Sequence, residues 1–86
     1  MTVGIYGLGR FGSFWASVLT KRFAVLAYDI DADRQTPDDI KRVSLKELCT
    51  CPAIFLCVSI RAVPQALQSL LPYIQGDTMV ADTCSV

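Results

Sequence analysis

Thr2-Val3-Gly4-Ile5-Tyr6-Gly7-Leu8-Gly9-Arg10-Phe11-Gly12 opens the chain, and Ala24-Val25-Leu26-Ala27-Tyr28-Asp29-Ile30 follows a short way on. Thr2 to Tyr6 is a β-prone run that ends on glycines. From Arg10 to Arg22 the apolar residues Phe11, Trp15, Val18 and Leu19 fall on one helical face. Lys21 and Arg22 are expected in the last turn of that helix, where cations suit its dipole. Ala24 to Ile30 reads as a second strand that ends in an aspartate. The triplet Gly7, Gly9 and Gly12 therefore lies between a strand and a helix, and Asp29 stands 22 residues beyond Gly7.

Each of these residues has a physical reason to be there if a dinucleotide binds. Gly7 permits a tight turn. Gly9, without a Cβ, lets a pyrophosphate approach the backbone, and Gly12 lets the helix pack closely on the strands. Free N–H groups at the start of the helix, with its positive dipole end, favour phosphate. A carboxylate at Asp29 would accept hydrogen bonds from the adenosine ribose. It also favours NAD over NADP by repelling a 2′-phosphate; no arginine follows it directly, and Arg34 is five residues on. The other reading of the glycines is a turn that merely packs a helix on a sheet. Arg10 is open to two readings as well, a pyrophosphate contact or a solvated side chain. Trp15 reads as core packing.

The rest of the chain continues to alternate. Residues 31 to 42 are polar, and Thr36-Pro37-Asp38-Asp39 has the form of a short helix start. Ser44 and Glu47 form a capping box that predicts a helix over Leu45 to Thr50. Ala53 to Val58 is a continuous apolar run, suited to a strand buried on both faces of a parallel sheet. Ala62 to Ile74 is helical in period, with Pro64 in its first turn and Pro72 and Gly76 ending it. Thr78 to Asp82 is a fourth strand. The expected fold is an α/β, Rossmann-like doubly wound parallel sheet of about four strands in the order 3-2-1-4. A complete sheet of this kind has about six strands, so residues 1–86 are expected to be the first portion of one dinucleotide-binding domain. In that order the ligand crevice lies between the first and fourth strands, with the glycine loop facing Thr83 to Ser85. Val58, Ser59 and Thr83, near the carboxyl ends of strands, join Gly7, Leu8, Gly9, Arg10, Phe11, Gly12 and Asp29 as candidate cofactor residues.

Composition narrows the function classes. Eight basic residues balance eight acidic ones, which argues against nucleic acid or an anionic membrane as the main partner. Hydrophobic residues make up 52% of the chain and mean hydropathy is +0.42, so a disordered chain is excluded. No apolar run approaches a membrane span, and no charged segment precedes an apolar one at the N-terminus, so a cytoplasmic location is expected. Cys49, Cys51, Cys57 and Cys84 form no C-x-x-C, and there is no histidine to complete a mixed zinc site. Free thiols are expected, with Cys57 as a small hydrophobe and Cys49-Thr50-Cys51 the one spacing open to a metal.

Two families share the opening. Gly7-Leu8-Gly9-Arg10-Phe11-Gly12 and Ala24 to Asp31 resemble the regulatory NAD-binding domains of potassium transporters and channels, which are binding modules. They also resemble the N-terminal domain of prephenate and arogenate dehydrogenases. The second half favours the dehydrogenases: Ser44 to Val58 resembles their short helix and third strand, and Ser59 to Val63 the loop that follows. Gln65 to Ile74 resembles the next helix, and Ala81-Asp82-Thr83-Cys84-Ser85-Val86 their Asp-x-x-Ser-Val-Lys motif. Cys51-Pro52-Ala53 departs from the aspartate usual before the third strand, and Ser59 stands where proline is frequent. Ser59 can equally cap a helix, Arg61 can be a solvated residue, and Thr83 and Ser85 can be ordinary loop hydroxyls.

The resemblance implies NAD as cofactor, prephenate or arogenate as substrate, and Ser85 as the catalytic contact to the ring hydroxyl, beside a histidine. It implies a homodimer made through a helical C-terminal domain. With no histidine and without that domain, the 86-residue chain alone is expected to be inactive. The fourth strand's free edge is expected to promote self-association.

Overall fold

Alternation of strand and helix, read from the sequence, becomes alternation in space. The computed structural model describes residues 1–83; Cys84, Ser85 and Val86 lie outside the described residues. The elements are β1 (Thr2–Tyr6), α1 (Arg10–Leu19), β2 (Ala24–Tyr28), β3 (Lys41–Arg42), α2 (Leu45–Leu48), β4 (Ala53–Leu56), a 3₁₀ turn (Ile60–Ala62), α3 (Val63–Leu70) and β5 (Met79–Asp82). The five strands form one sheet in the order β3-β2-β1-β4-β5, and every pairing is parallel. This is a Rossmann-like doubly wound α/β fold.

The pattern of order is the expected one, but two of its places are filled differently. Ala53–Leu56 does not lie beyond β2. It pairs with β1, Val3 opposite Ala53 and Tyr6 opposite Leu56. Met79–Asp82 then pairs with β4 rather than with β1. The place beyond β2 belongs to Lys41–Arg42, which joins Leu26 and Ala27. The sequence reading assigns no strand here, because both residues are polar. The strand is held by its neighbours: Ile40 and Val43 on either side are buried, in opposite layers of the core.

One layer contains α1, whose Ala16 and Leu19 pack with Val3, Ile5, Val25, Ala27 and Ala53. The opposite layer contains α2 and α3, whose Leu48, Ala66 and Leu70 pack with Tyr6, Ile54 and Leu56. Strand residues facing one way meet α1 and those facing the other way meet α2 and α3, as the two-residue repeat of a strand requires. Cys49 and Cys51 are buried in the second layer, and Cys49, Cys51 and Cys57 are free thiols.

The helices are shorter than their apolar periodicity suggests. α1 stops at Leu19, so Lys21 and Arg22 belong to the turn after it rather than to its last turn. Thr36 to Asp39 forms a turn, with Ile40 N–H donating to Pro37 at 3.1 Å, and no helix. Ser44 caps α2 as its capping box predicts, its Oγ accepting from the Glu47 N–H at 3.2 Å. α3 runs only from Val63 to Leu70, with Pro64 in its first turn. Among the described residues no helix is long and apolar enough to cross a membrane.

Candidate functional site

The carboxyl ends of β1, β2 and β4 meet where the chain leaves the sheet in different directions. Gly7 makes the turn out of β1 with φ at +107°, a conformation that favours glycine. A Cβ there would stand 2.5 Å from the Cys57 carbonyl oxygen. The turn is pinned on both sides: Gly7 N–H donates to Tyr28 O at 2.7 Å, and Cys57 N–H donates to Tyr6 O at 2.8 Å. Gly12 faces back into the turn, where a Cβ would lie 1.9 Å from the Gly7 oxygen. Two of the three glycines are thus fixed by backbone packing within the chain.

Gly9 is different. Its φ of −68° and ψ of −166° are open to any residue. A Cβ on it would meet only Arg34 Nη1, at an ordinary 3.4 Å. Neither conformation nor packing among the described residues requires glycine here. Gly9 precedes α1 without a side-chain cap, and the first N–H groups of a helix have no partner within it. Gly9, Arg10 and Phe11, at this positive end of α1, line a hollow described below.

Asp29 closes the site from the side of β2. It is 8% exposed, the one buried acidic residue among those described. Burying a carboxylate is costly unless its oxygens are satisfied. Here Leu8 N–H donates to Oδ2 at 2.6 Å and Asp31 N–H donates to Oδ1 at 2.8 Å. Arg34 Nε lies 3.8 Å from Oδ2. The loop that carries Asp29 is held in turn by Arg42, whose guanidinium donates to the carbonyl oxygens of Asp29, Asp31 and Arg34.

Two hollows open side by side on this end of the sheet. One, of about 300 Å³, is lined by Tyr6, Gly7, Asp29, Ile30 and Arg34. The other, of about 210 Å³, is lined by Arg10, Phe11 and Thr83. Gly9, Cys57, Val58 and Ser59 form a wall common to both. The sequence-predicted residues Gly7, Gly9, Arg10, Phe11, Asp29, Val58, Ser59 and Thr83 are therefore brought together. Leu8 and Gly12 sit behind them, Leu8 buried with its N–H committed to Asp29. The crevice differs from the expected one, because β4 rather than β5 adjoins β1. Thr83 still reaches it, its hydroxyl donating to Leu56 O at 2.8 Å.

Four residues of the site were given no part in it by sequence reading. Tyr6, Ile30, Ala62 and Ala66 line a third, smaller hollow of about 70 Å³ beside Val58. As apolar residues they look like core in the sequence. Cys57, read as a small hydrophobe, is half-buried and lies on the common wall. Burial pushes its thiol up, and the neighbouring Thr83 hydroxyl, 3.4 Å from the sulfur, partly offsets this. Among the described residues no group of three or more His, Cys, Asp or Glu side chains is placed to hold a metal.

The fold is shared with known dehydrogenases. Over its whole length the chain is similar to an arogenate dehydrogenase from Synechocystis, with a TM-score of 0.80 at 24% identity, covering 34% of that protein. Similarity to a D-2-hydroxyisocaproate dehydrogenase gives a TM-score of 0.77 at 24% identity, over 96% of this chain and 26% of the other. A Staphylococcus aureus NAD-dependent formate dehydrogenase, solved in complex with NAD, gives 0.76 at 25% identity, over 96% of this chain and 26% of that one. The chain spans about a quarter to a third of the length of these structures. Neither a family model nor a curated protein matches the sequence.

Proposed function

We propose that the chain binds a nicotinamide dinucleotide across the carboxyl ends of β1, β2 and β4, as the cofactor-holding portion of an oxidoreductase. Gly9 carries this reading. Its missing Cβ is demanded by nothing among the described residues. A pyrophosphate resting on the loop and the first N–H groups of α1 would demand it. The Arg10 and Phe11 N–H groups would face that pyrophosphate. Asp29 would accept from the adenosine ribose with the lone pairs its two main-chain donors leave free. Ile30, Val58, Ala62 and Ala66 offer an apolar slot suited to an adenine ring. Ser59 and Thr83 would border the nicotinamide end. A bound nicotinamide supplies a hydride acceptor; these residues bind and orient.

Within that class, the reading favoured is a prephenate or arogenate dehydrogenase, which oxidises and decarboxylates a ring that becomes aromatic. The support is the resemblance of Ser44 to Val63 and of Ala81 to Val86, with the fold similarity to an arogenate dehydrogenase. Ser85, proposed to contact the ring hydroxyl, lies outside the described residues. The comparable fold match to hydroxy-acid and formate dehydrogenases supports a second reading, a different dehydrogenase on the same cofactor domain.

Calorimetric titration with NAD⁺ tests the cofactor reading. The chain should bind saturably, and Gly9→Val should abolish binding while circular dichroism and the melting profile stay close to those of the parent. Unchanged binding by Gly9→Val would discard the role given to the loop. Substrate class is tested on the complete gene product, by NADH formation with prephenate, arogenate, a D-2-hydroxy acid and formate in turn. Turnover of a hydroxy acid or formate, and of neither ring substrate, would replace the first reading by the second.

A further inference from the structure

The larger hollow contains a cation that a simple ribose-binding aspartate does not call for. Arg34 is five residues past Asp29, but the loop turns it back over the site. Its Nε comes to 3.8 Å from Asp29 Oδ2, and its Nη1 reaches the space beside Gly9. The 3.8 Å contact is an ion pair longer than a hydrogen bond. The side chain is 46% exposed, so the guanidinium has room to turn. Its main chain is anchored, because Arg42 donates to the Arg34 carbonyl as well as to those of Asp29 and Asp31. The loop is thus fixed while the cation at its end is free to choose a partner.

Asp29 in turn is a poor repeller of anions. Its side chain is 7% exposed, each oxygen accepts a main-chain N–H, and a guanidinium faces it. A carboxylate compensated in this way exerts far less repulsion on a phosphate than a free one. Asp31 and Asp33 lie on the same loop but are exposed, where solvent screens them. Guanidinium groups bind phosphate through two parallel N–H donors, a better match than the long pair with Asp29.

Given the dinucleotide reading above, on which this rests, we propose that Arg34 adapts the adenosine-ribose end of the site to a 2′-phosphate. The chain then takes NADP(H) as well as NAD(H), and Arg34 sets the ratio between them. With NAD, Arg34 stays on Asp29, which accepts from the ribose. With NADP, it leaves Asp29 for the phosphate.

The test is equilibrium titration of the chain, Arg34→Gln and Arg34→Lys with NAD⁺ and with NADP⁺ at fixed salt. The parent should bind the two cofactors within about tenfold of each other. Arg34→Gln should weaken NADP⁺ by about tenfold or more and NAD⁺ by less than about threefold, with Arg34→Lys in between. A loss that is equal for both cofactors in Arg34→Gln would overturn the proposal, since it would place Arg34 on the pyrophosphate or in the fold. So would NAD⁺ binding by a parent chain that NADP⁺ approaches only about a hundredfold more weakly. Failure of both cofactors to bind the parent would overturn the proposed function, and this inference with it.

Discussion

The main-chain N–H of Leu8 donates to the carboxylate of Asp29 at 2.6 Å, across 21 residues of sequence. That bond ties the glycine loop after β1 to the end of β2, the two segments whose spacing marks the site in the sequence. The acid therefore has a role in the fold whether or not a ligand is present.

Replacing Asp29 should consequently cost stability as well as binding. Asp29→Ala leaves the buried Leu8 N–H without its acceptor and removes the partner of Asp31 N–H. A loss of about 1–3 kcal/mol is expected. Asp29→Asn keeps one acceptor oxygen and should lose less. Urea unfolding of the three chains measures both. Equal stability of Asp29→Ala and the parent would show that the tether contributes nothing.

The three glycines should separate under the same kind of measurement. Alanine at Gly12 brings a methyl to 1.9 Å from the Gly7 oxygen, and alanine at Gly7 brings one to 2.5 Å from the Cys57 oxygen at a positive φ. Both obstacles are backbone atoms, so the cost should be about 3 kcal/mol or more. Gly9→Ala meets only the flexible end of Arg34 and should melt near the parent temperature. Thermal melts of the three variants decide this. Similar losses at all three positions would return Gly9 to a packing role.

Much of this was open to reading because its signals are local. The glycines, the acid after β2 and the helical period of α1 each occupy a short window, and the structure places the loop beside that acid. What escaped depends on distant contacts. Lys41–Arg42 has no strand pattern of its own; it pairs with β2 because Ile40 and Val43 are drawn into the two layers and Arg42 grips the loop beside it. With that strand missed, Ala53–Leu56 was given its place beyond β2. Sheet order is a property of crossovers, and an apolar strand carries no mark of its neighbour. Arg34 reaches Asp29 only through the path of the loop between them. Ile30, Ala62 and Ala66 resemble core residues until the slot they line is seen.

β5 ends the sheet, and its outer side pairs with no strand among the described residues. In a parallel sheet, residues in register share a face, so Met79 and Ala81 lie beside Ala53 and Phe55 on the α1 side. Met79 is 65% exposed, and Phe14 and Phe11 on α1 are also exposed. Trp15 packs edge-on against Phe55, its Nε1 buried with no hydrogen-bond partner among the described residues. An apolar end strand is a template for a further strand, and a second copy can supply one. Sedimentation should show association that grows with concentration. Met79→Lys should weaken it with little change in melting temperature, because Met79 is largely exposed. Val80 is unsuitable for this, since it packs against the α3 layer. A monomer at high concentration would remove the edge as an interface.

Alkaline pH should destabilise the fold through its thiols. Burial raises the Cys49, Cys51 and Cys57 thiols above their ordinary value, and for Cys51 the neighbouring Cys49 and Glu47 add to it. Below the unfolded thiol pKa of about 8.5 both states hold these protons, and stability is independent of them. Above it the unfolded chain releases protons that the folded chain keeps. Each release favours unfolding, so stability falls with rising pH until the folded thiols also ionise. The slope in that window is at most about 1.4 kcal/mol per pH unit for each thiol. Tyr28, raised by burial and by Tyr6 and Asp29, should add to the fall at still higher pH. Melting temperatures measured from pH 7 upward should therefore hold level and then decline from about pH 8.5. Cys49→Ala/Cys51→Ala should start lower, for the lost packing, and decline less steeply. An identical slope in that double variant would mean that the two buried thiols do not titrate with unfolding, and that the decline belongs to other groups.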